Sequence, residues 1–298
     1  MNVQSIKKLI ENSIEIPKDK KFSAIIGSRP SKGARSPLLW NAAFKKMNLE
    51  NLMIPLDCNP LNIDKLLDTL NKTEMFVGGA ITAPFKEDTA KWLKNNITEE
   101  SKKIGAVNCI FRNEAHELMG TNTDGEAAIK SMKKNFGLFN YNKILLMGSG
   151  GTAKAITAYL EPEISKKSQF IIIVRNIKKV NFHKLYKNVK IFLWKDLKNI
   201  LSKTDLVINC TTVGWGDQSL ISPIPKNFFN LLPTNSKIFD VIYDPDPTLL
   251  LTYAREHKLD VLNGLNMNLE QAVLAYAKVN KMNDKLKIIK DYMMSAIK

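Results

Sequence analysis

Histidine and cysteine are scarce in this chain of 298 residues, with three of each. Cys58, Cys109 and Cys210 are too few for a disulfide framework. Each lies in an apolar segment with no histidine near it in sequence, so they read as small core residues rather than catalytic thiols. His116, His183 and His257 show no metal-ligand spacing and stand in polar stretches, so neither a metal site nor histidine catalysis is expected. No apolar run approaches the roughly 20 residues that span a bilayer. Residues 1–21 are polar and carry lysines, without the apolar core of a signal peptide, which sets the expectation of a cytoplasmic protein with no membrane contact. Internal repeats and low-complexity tracts are also absent from the sequence.

Acidic residues are in deficit: 29 Asp and Glu face 44 Lys and Arg, a formal charge of +15. The excess is spread thinly. Lys-Lys pairs stand at 7–8, 20–21, 45–46, 102–103, 133–134, 166–167 and 178–179. A nucleic-acid binder concentrates such pairs on one element with aromatics between them. Scattered pairs read instead as a solvated surface that gathers small anions, and no nucleic-acid partner is expected.

What is present is alternation. Short apolar runs at 22–26, 52–56, 75–82 and 106–111 read as strands, and the stretches 36–47 and 63–70 between them as helices. A hairpin through 113–115 leads to a further strand ending at Gly120, and residues 5–10 carry an amphipathic helical pattern within an N-terminal extension to Lys21. After a helix over 126–136, apolar runs at 143–147, 170–174, 189–193, 206–210 and 238–243 follow, each bridged by a helix or loop, which is the pattern of a doubly wound parallel sheet. Helices over 264–278 and 284–297 close the chain. The length suggests two domains.

The first strand of that second series runs into Gly148-Ser149-Gly150-Gly151-Thr152-Ala153. A tight turn at Gly148, a bare backbone at Gly150 and Gly151 and a small residue at Ala153 suit a pyrophosphate lying on a helix N-terminus. A methyltransferase carries such a loop as well. The second strand ends in Val174-Arg175-Asn176-Ile177-Lys178-Lys179, with no acid to accept from a ribose 2′-hydroxyl. Lys86 follows a proline that ends a strand, and Asp124 opens the helix linking the two sheets. An ammonium oriented by a carboxylate can pass a proton to and from a substrate oxygen. As ordinary residues these two are a surface lysine and a helix N-cap.

Seven motifs in order span nearly the whole chain after residue 21. They are Gly27…Arg35-Ser36-Pro37, Thr82-Ala83-Pro84-Phe85-Lys86, Gly105-Ala106-Val107-Asn108, Asn122-Thr123-Asp124-Gly125, Gly148-Ser149-Gly150-Gly151, Asn209-Cys210-Thr211-Thr212-Val213-Gly214, and Asn263-Gly264-Leu265-Asn266-Met267 with Gln271. Together they resemble the shikimate dehydrogenase family. The resemblance implies an α/β fold: an N-terminal α/β substrate-binding domain (1–122, with 265–298 packing back on it) and a Rossmann-type doubly wound parallel-sheet NADP domain (123–264). It implies an NADP-dependent oxidoreductase that interconverts 3-dehydroshikimate and shikimate on the route to chorismate and the aromatic amino acids.

On that resemblance Lys86 and Asp124 are the catalytic pair. Ser36, Thr82, Asn108, Tyr243 and Gln271 bind the substrate. Gly148, Ser149, Gly150, Gly151, Thr152, Ala153, Arg175, Lys179, Thr211, Val213, Gly264 and Met267 bind the cofactor, with Arg175 and Lys179 on the 2′-phosphate. The partners implied are a small anionic substrate and NADP, for a monomer or a homodimer. Two departures fall in the substrate region: Ala34 replaces a family serine and Ala80 a frequent asparagine. They leave open a relative acting on quinate or another cyclic polyol acid, and a non-catalytic binding protein on the same scaffold is the reading from another class.

Overall fold

A computed structural model describes residues 3–180, 186 and 188–297. The chain divides into two compact units, Met1–Thr123 with Leu269–Lys298, and Asp124–Asn268.

The first unit opens with α1 (Val3–Lys7), β1 (Phe22–Gly27), α2 (Ser36–Lys46), β2 (Leu52–Asp57), α3 (Ile63–Asn71) and β3 (Phe76–Ile81). It continues with α4 (Lys86–Leu93), α5 (Glu99–Ile104), β4 (Cys109–Arg112) and β5 (Leu118–Thr121). Its sheet has the order β2-β1-β3-β4-β5, parallel across the first three strands and antiparallel from β3 to β5. Side chains alternate across the sheet, as the two-residue period of a strand requires. Phe22, Ala24 and Ile26 pack with α3 residues such as Leu66 and Leu70. Ile25 packs on the other face, among Leu39, Trp40 and Phe44 of α2.

The second unit contains α6 (Asp124–Phe136), β6 (Lys143–Met147), α7 (Gly151–Leu160), β7 (Gln169–Val174), β8 (Val189–Leu193), α8 (Leu197–Leu201), β9 (Leu206–Asn209), β10 (Lys237–Asp240), α9 (Leu249–Glu256) and β11 (Asp260–Leu262). All six strands are parallel, in the order β11-β10-β9-β6-β7-β8. Ile144 and Leu146 face a layer with α6 and α7, while Leu145 and Met147 face Leu197, Leu201, Leu250 and Leu251 of α8 and α9. Helices therefore cover both faces. The sheet is doubly wound, and its order reverses beside β6, where such sheets bind ligands. Helix α10 (Leu265–Val279) runs out of this unit, and α11 (Leu286–Met294) follows. Val273 and Tyr276 of α10 and Ile289 and Met293 of α11 pack on α2, so the C-terminal helices belong to the core of the first unit.

Three expected elements differ, and one strand was not expected. The N-terminal helix ends at Lys7, and the following residues run beside β2 instead: Ile10 bridges Cys58, and the Asn12 side chain accepts from Asp57 N–H at 2.8 Å and donates to the Pro55 carbonyl at 3.0 Å. The strand expected over 106–111 starts at Cys109, because Val107 N–H is taken by the Lys86 carbonyl at 2.8 Å, outside any ladder. The strand expected over 238–243 stops at Asp240, whose carboxylate accepts Ile242 N–H at 3.1 Å and turns the chain. A sixth strand, β11, was not visible in the sequence, since three residues are too few for a periodic signal.

Candidate active site

In the first unit, the polar residues gather where β1 and β3 end. Thr82 N–H donates to the Ile26 carbonyl at 2.9 Å, Ser28 N–H to the Ala83 carbonyl at 3.2 Å, and Phe85 N–H to the Thr82 carbonyl at 3.0 Å. These bonds turn the chain into α4 and put Lys86, half-buried, at its first position. The Val107 bond to the Lys86 carbonyl lays the 105–108 stretch beside it.

Asn108 comes next and is 2% exposed. Its Oδ1 accepts Thr123 N–H at 2.7 Å, and its Nδ2 lies 3.0 Å from Thr123 Oγ1 and 3.5 Å from Gln271 Oε1. The Thr123 hydroxyl lies 3.2 Å from the Gln271 carbonyl. Asn108 and Gln271, 163 residues apart, thus meet through Thr123, a motif residue to which the sequence reading assigned no role. Asn122 Nδ2 donates to the Ala106 carbonyl at 3.1 Å and holds the same turn from the other side.

Ser36 is buried at the first position of α2, ahead of Pro37, whose fixed backbone suits a helix start. The basic loop before it is tied to the sheet: both the N–H of Ser31, at 2.8 Å, and its hydroxyl donate to the buried Asp57 carboxylate. Burial raises the Cys58 thiol to about 11 and the Cys109 thiol to about 12, which keeps both in the unreactive thiol form near neutrality.

In the second unit a cleft of about 330 Å³ opens at the C-terminal ends of β6, β7 and β9. Of the residues assigned to the cofactor, Gly148, Ser149, Gly150, Arg175, Thr211 and Val213 line it, together with Thr212 of the same loop; Trp194 and Gln218, which had no assignment, line it as well. Gly148 has φ +111°, a left-handed conformation that glycine adopts without penalty. A side chain at Gly150 would meet nothing within 4 Å, so a ligand can approach its backbone closely. Gly151 and Thr152 form the first turn of α7, which has no side-chain cap, and its amides are oriented for an anion. Ala153 is buried beneath.

Arg175 is exposed at the end of β7, and residues 174–179 contain no acid. The side chain of Lys179 lies outside the described residues. This donor set fits a dinucleotide carrying a 2′-phosphate: amides for the pyrophosphate and a guanidinium for the extra phosphate.

Thr211 faces the cleft through a fixed loop. Asn209 Oδ1 accepts from Thr211 N–H at 3.1 Å and from its hydroxyl at 2.7 Å, and Val213 N–H donates to that hydroxyl at 3.1 Å. The other described residues assigned in this unit do not line the cleft: Gly151, Thr152 and Ala153 stand in α7, and Met267, Gly264, Tyr243 and Asp124 stand in other segments. Met267 is buried in the apolar layer that contains Phe239 and Leu262. A Cβ on Gly264 would lie 2.0 Å from the Val241 carbonyl oxygen, so the absence of a side chain there has a packing reason. Tyr243 is half-buried in the turn after β10. Asp124 is 5% exposed, at the first position of α6.

A doubly wound parallel sheet with a glycine turn at its switch point, joined to a second α/β unit, defines a dinucleotide-binding protein. The family model for the shikimate dehydrogenase substrate binding domain matches residues 25–110. The shikimate dehydrogenase (NADP(+)) of Methanococcus vannielii is 33% identical over 258 residues, covering 83% of this chain and 87% of that one. That of Pyrococcus furiosus is 33% identical over 261 residues, covering 86% and 89%. The crystal structure of shikimate dehydrogenase 1 from Peptoclostridium difficile superposes with a TM-score of 0.80 at 25% identity, over 91% of this chain and 97% of that one. The chain belongs to the shikimate dehydrogenase family.

Proposed function

We propose that the protein catalyses the reversible, NADP-dependent reduction of 3-dehydroshikimate to shikimate. One observation carries the reading most directly. The cleft of the second unit combines a glycine turn at a helix N-terminus with an exposed arginine and no acid at 174–179, and relatives matched over most of their length are named as NADP-dependent shikimate dehydrogenases.

When bound, the reduced nicotinamide supplies a hydride to the substrate ketone. The chain supplies the rest. Lys86 Nζ donates a proton to the ketone oxygen as negative charge develops there, and takes it back in the reverse direction. Asp124 is the carboxylate that the family pattern assigns to orient and hold that ammonium. The amides of Asn108 and Gln271 and the hydroxyl of Thr82 read the ring hydroxyls, since an amide both donates and accepts. Ser36 and Tyr243 take the carboxylate. Arg175 holds the 2′-phosphate by its forked donors. The same reading makes this a cytoplasmic enzyme working as a monomer or homodimer.

The test is direct. Purified protein with NADPH and 3-dehydroshikimate is expected to consume reduced nicotinamide, and shikimate with NADP to regenerate it. Ala34 and Ala80 favour quinate as the competing substrate, and a parallel assay with quinate separates the two. Absence of turnover with every one of these substrates would overturn the enzymatic reading.

A further inference from the structure

The cleft of the second unit has two chemically different ends. One is the glycine turn, Gly148, Ser149 and Gly150, which leads into α7. The other is built from the residues that follow β7 and β8. These strands are paired with Val174 opposite Leu193, so Arg175 and Trp194 are the next residues on two adjacent strands, whose backbones run about 5 Å apart. Both line the cleft.

The position of Trp194 is well supported. It begins a short turn, Trp194–Asp196, that is closed by the Asp196 carboxylate accepting Leu193 N–H at 3.1 Å. Its indole also packs against the apolar layer containing Leu145, Ile171 and Leu197. An aromatic side chain packed on the core and also lining a cleft, beside an exposed guanidinium, is a platform for a planar heteroaromatic ring.

We propose that Trp194 is the purine platform of this unit, stacking the adenine of a 2′-phosphorylated adenosine while Arg175 engages the phosphate. The inference rests on the NADP reading above and adds to it the residue that recognises the base. Phosphate recognition by the glycine turn and Arg175 selects anions. The indole selects a flat ring of purine size, and the two together distinguish an adenosine 2′-phosphate from a bare phosphate or a nicotinamide nucleotide.

The other three tryptophans differ in setting, which makes the test clean. Trp40 is fully buried in the first unit, Trp92 Nε1 donates to Asp68 in that unit, and Trp215 is 55% exposed in the loop after β9. Titrating 2′-phosphoadenosine 5′-diphosphoribose, which lacks the nicotinamide, into the full-length protein is expected to change tryptophan emission. Trp194→Phe is expected to abolish that change while holding affinity within about threefold, because a phenyl ring still stacks. Trp194→Leu keeps apolar volume against the core without a π face, and is expected to weaken the probe about tenfold. Nicotinamide mononucleotide, the control, is expected to bind all three proteins alike.

Unchanged affinity in a folded Trp194→Leu protein, or an undiminished emission response in Trp194→Phe, overturns the platform and leaves the NADP reading standing. Failure of the wild-type protein to bind either the probe or NADP overturns both.

Discussion

The carboxylate of Asp240, at the end of β10, accepts the side-chain amide of Asn209, at the end of β9, at 3.0 Å. Asp240 is fully buried and also accepts from the Thr248 hydroxyl at 2.7 Å and from Ile242 N–H at 3.1 Å. Asn209 in turn holds Thr211, so a charge inside the second unit orders one wall of its cleft. Burial pushes the Asp240 carboxyl up to about 6, against the lowering effect of its three hydrogen bonds.

That shift sets a pH dependence. The folded protein keeps the Asp240 proton to higher pH than the unfolded chain does, so between about pH 4 and pH 6 this group makes stability fall as pH rises. Asp240→Asn keeps the acceptor for Asn209 and carries no charge. From about pH 4 to about pH 7, wild type is expected to lose about 3 kcal/mol relative to this variant, read from urea unfolding at several pH values. Parallel pH profiles for the two proteins would refute it.

Lys86→Ala tests the proton transfer. The expected loss is about 10²–10⁴-fold in kcat, with NADP affinity unchanged because the cleft of the second unit is untouched. Near-full activity in this variant removes Lys86 from the mechanism.

Asn108 and Gln271 separate stability from recognition. Asn108→Ala strips the acceptor from a buried Thr123 N–H held at 2.7 Å, and is expected to cost about 1–3 kcal/mol of stability as well as raising KM for shikimate. Gln271 Oε1 lies 3.5 Å from the Asn108 amide, a weak contact. Gln271→Ala is expected to raise the same KM with a smaller loss of stability than Asn108→Ala, since it leaves the Asn108–Thr123 bond in place. Thermal melts and steady-state kinetics on both variants decide the point.

Arg175→Ala is expected to weaken NADP binding roughly 10- to 100-fold, the range for a lost charge-assisted hydrogen bond, and to leave NAD binding nearly unchanged. Equal losses for the two cofactors would show that Arg175 does not contact the 2′-phosphate.

Two glycines that look alike in sequence are expected to respond in opposite ways. Gly264→Ala places a Cβ 2.0 Å from a backbone oxygen and is expected to destabilise by about 1–3 kcal/mol. Gly150→Ala enters open space and is expected to leave the melting temperature nearly unchanged while weakening NADP. Calorimetry with and without NADP reads both effects.

Much of the fold was legible in the sequence. β6, β7 and β8 are apolar runs bounded by glycine or charge, and a run of four or more apolar residues is visible without any partner. β11, with three residues, carries no such signal; the start of β4 depends on a bond to Lys86 in another segment, and the end of β10 on the Asp240 side chain turning to Ile242 N–H two residues on. The glycine turn and Arg175 were legible because each directly follows an apolar run: bare amides after β6, and a cation with no acid near it after β7. Trp194 was not, since it reaches the cleft only through the pairing of β8 with β7. Thr123 was in view as part of a motif, but its bond to the Gln271 carbonyl crosses 148 residues.

The sequence by itself determined the order of strands and helices, the absence of an acid beyond β7, and the residue types available for proton transfer and phosphate binding. Those properties are set by neighbours within a few positions. Only the tertiary structure decided that Asn108 meets Gln271, that Asp240 holds Asn209, that Gly264 is small for packing, and that Trp194 stands beside Arg175. Each of these joins separate segments, and burial and hydrogen bonding select such pairs only once the chain has folded around them.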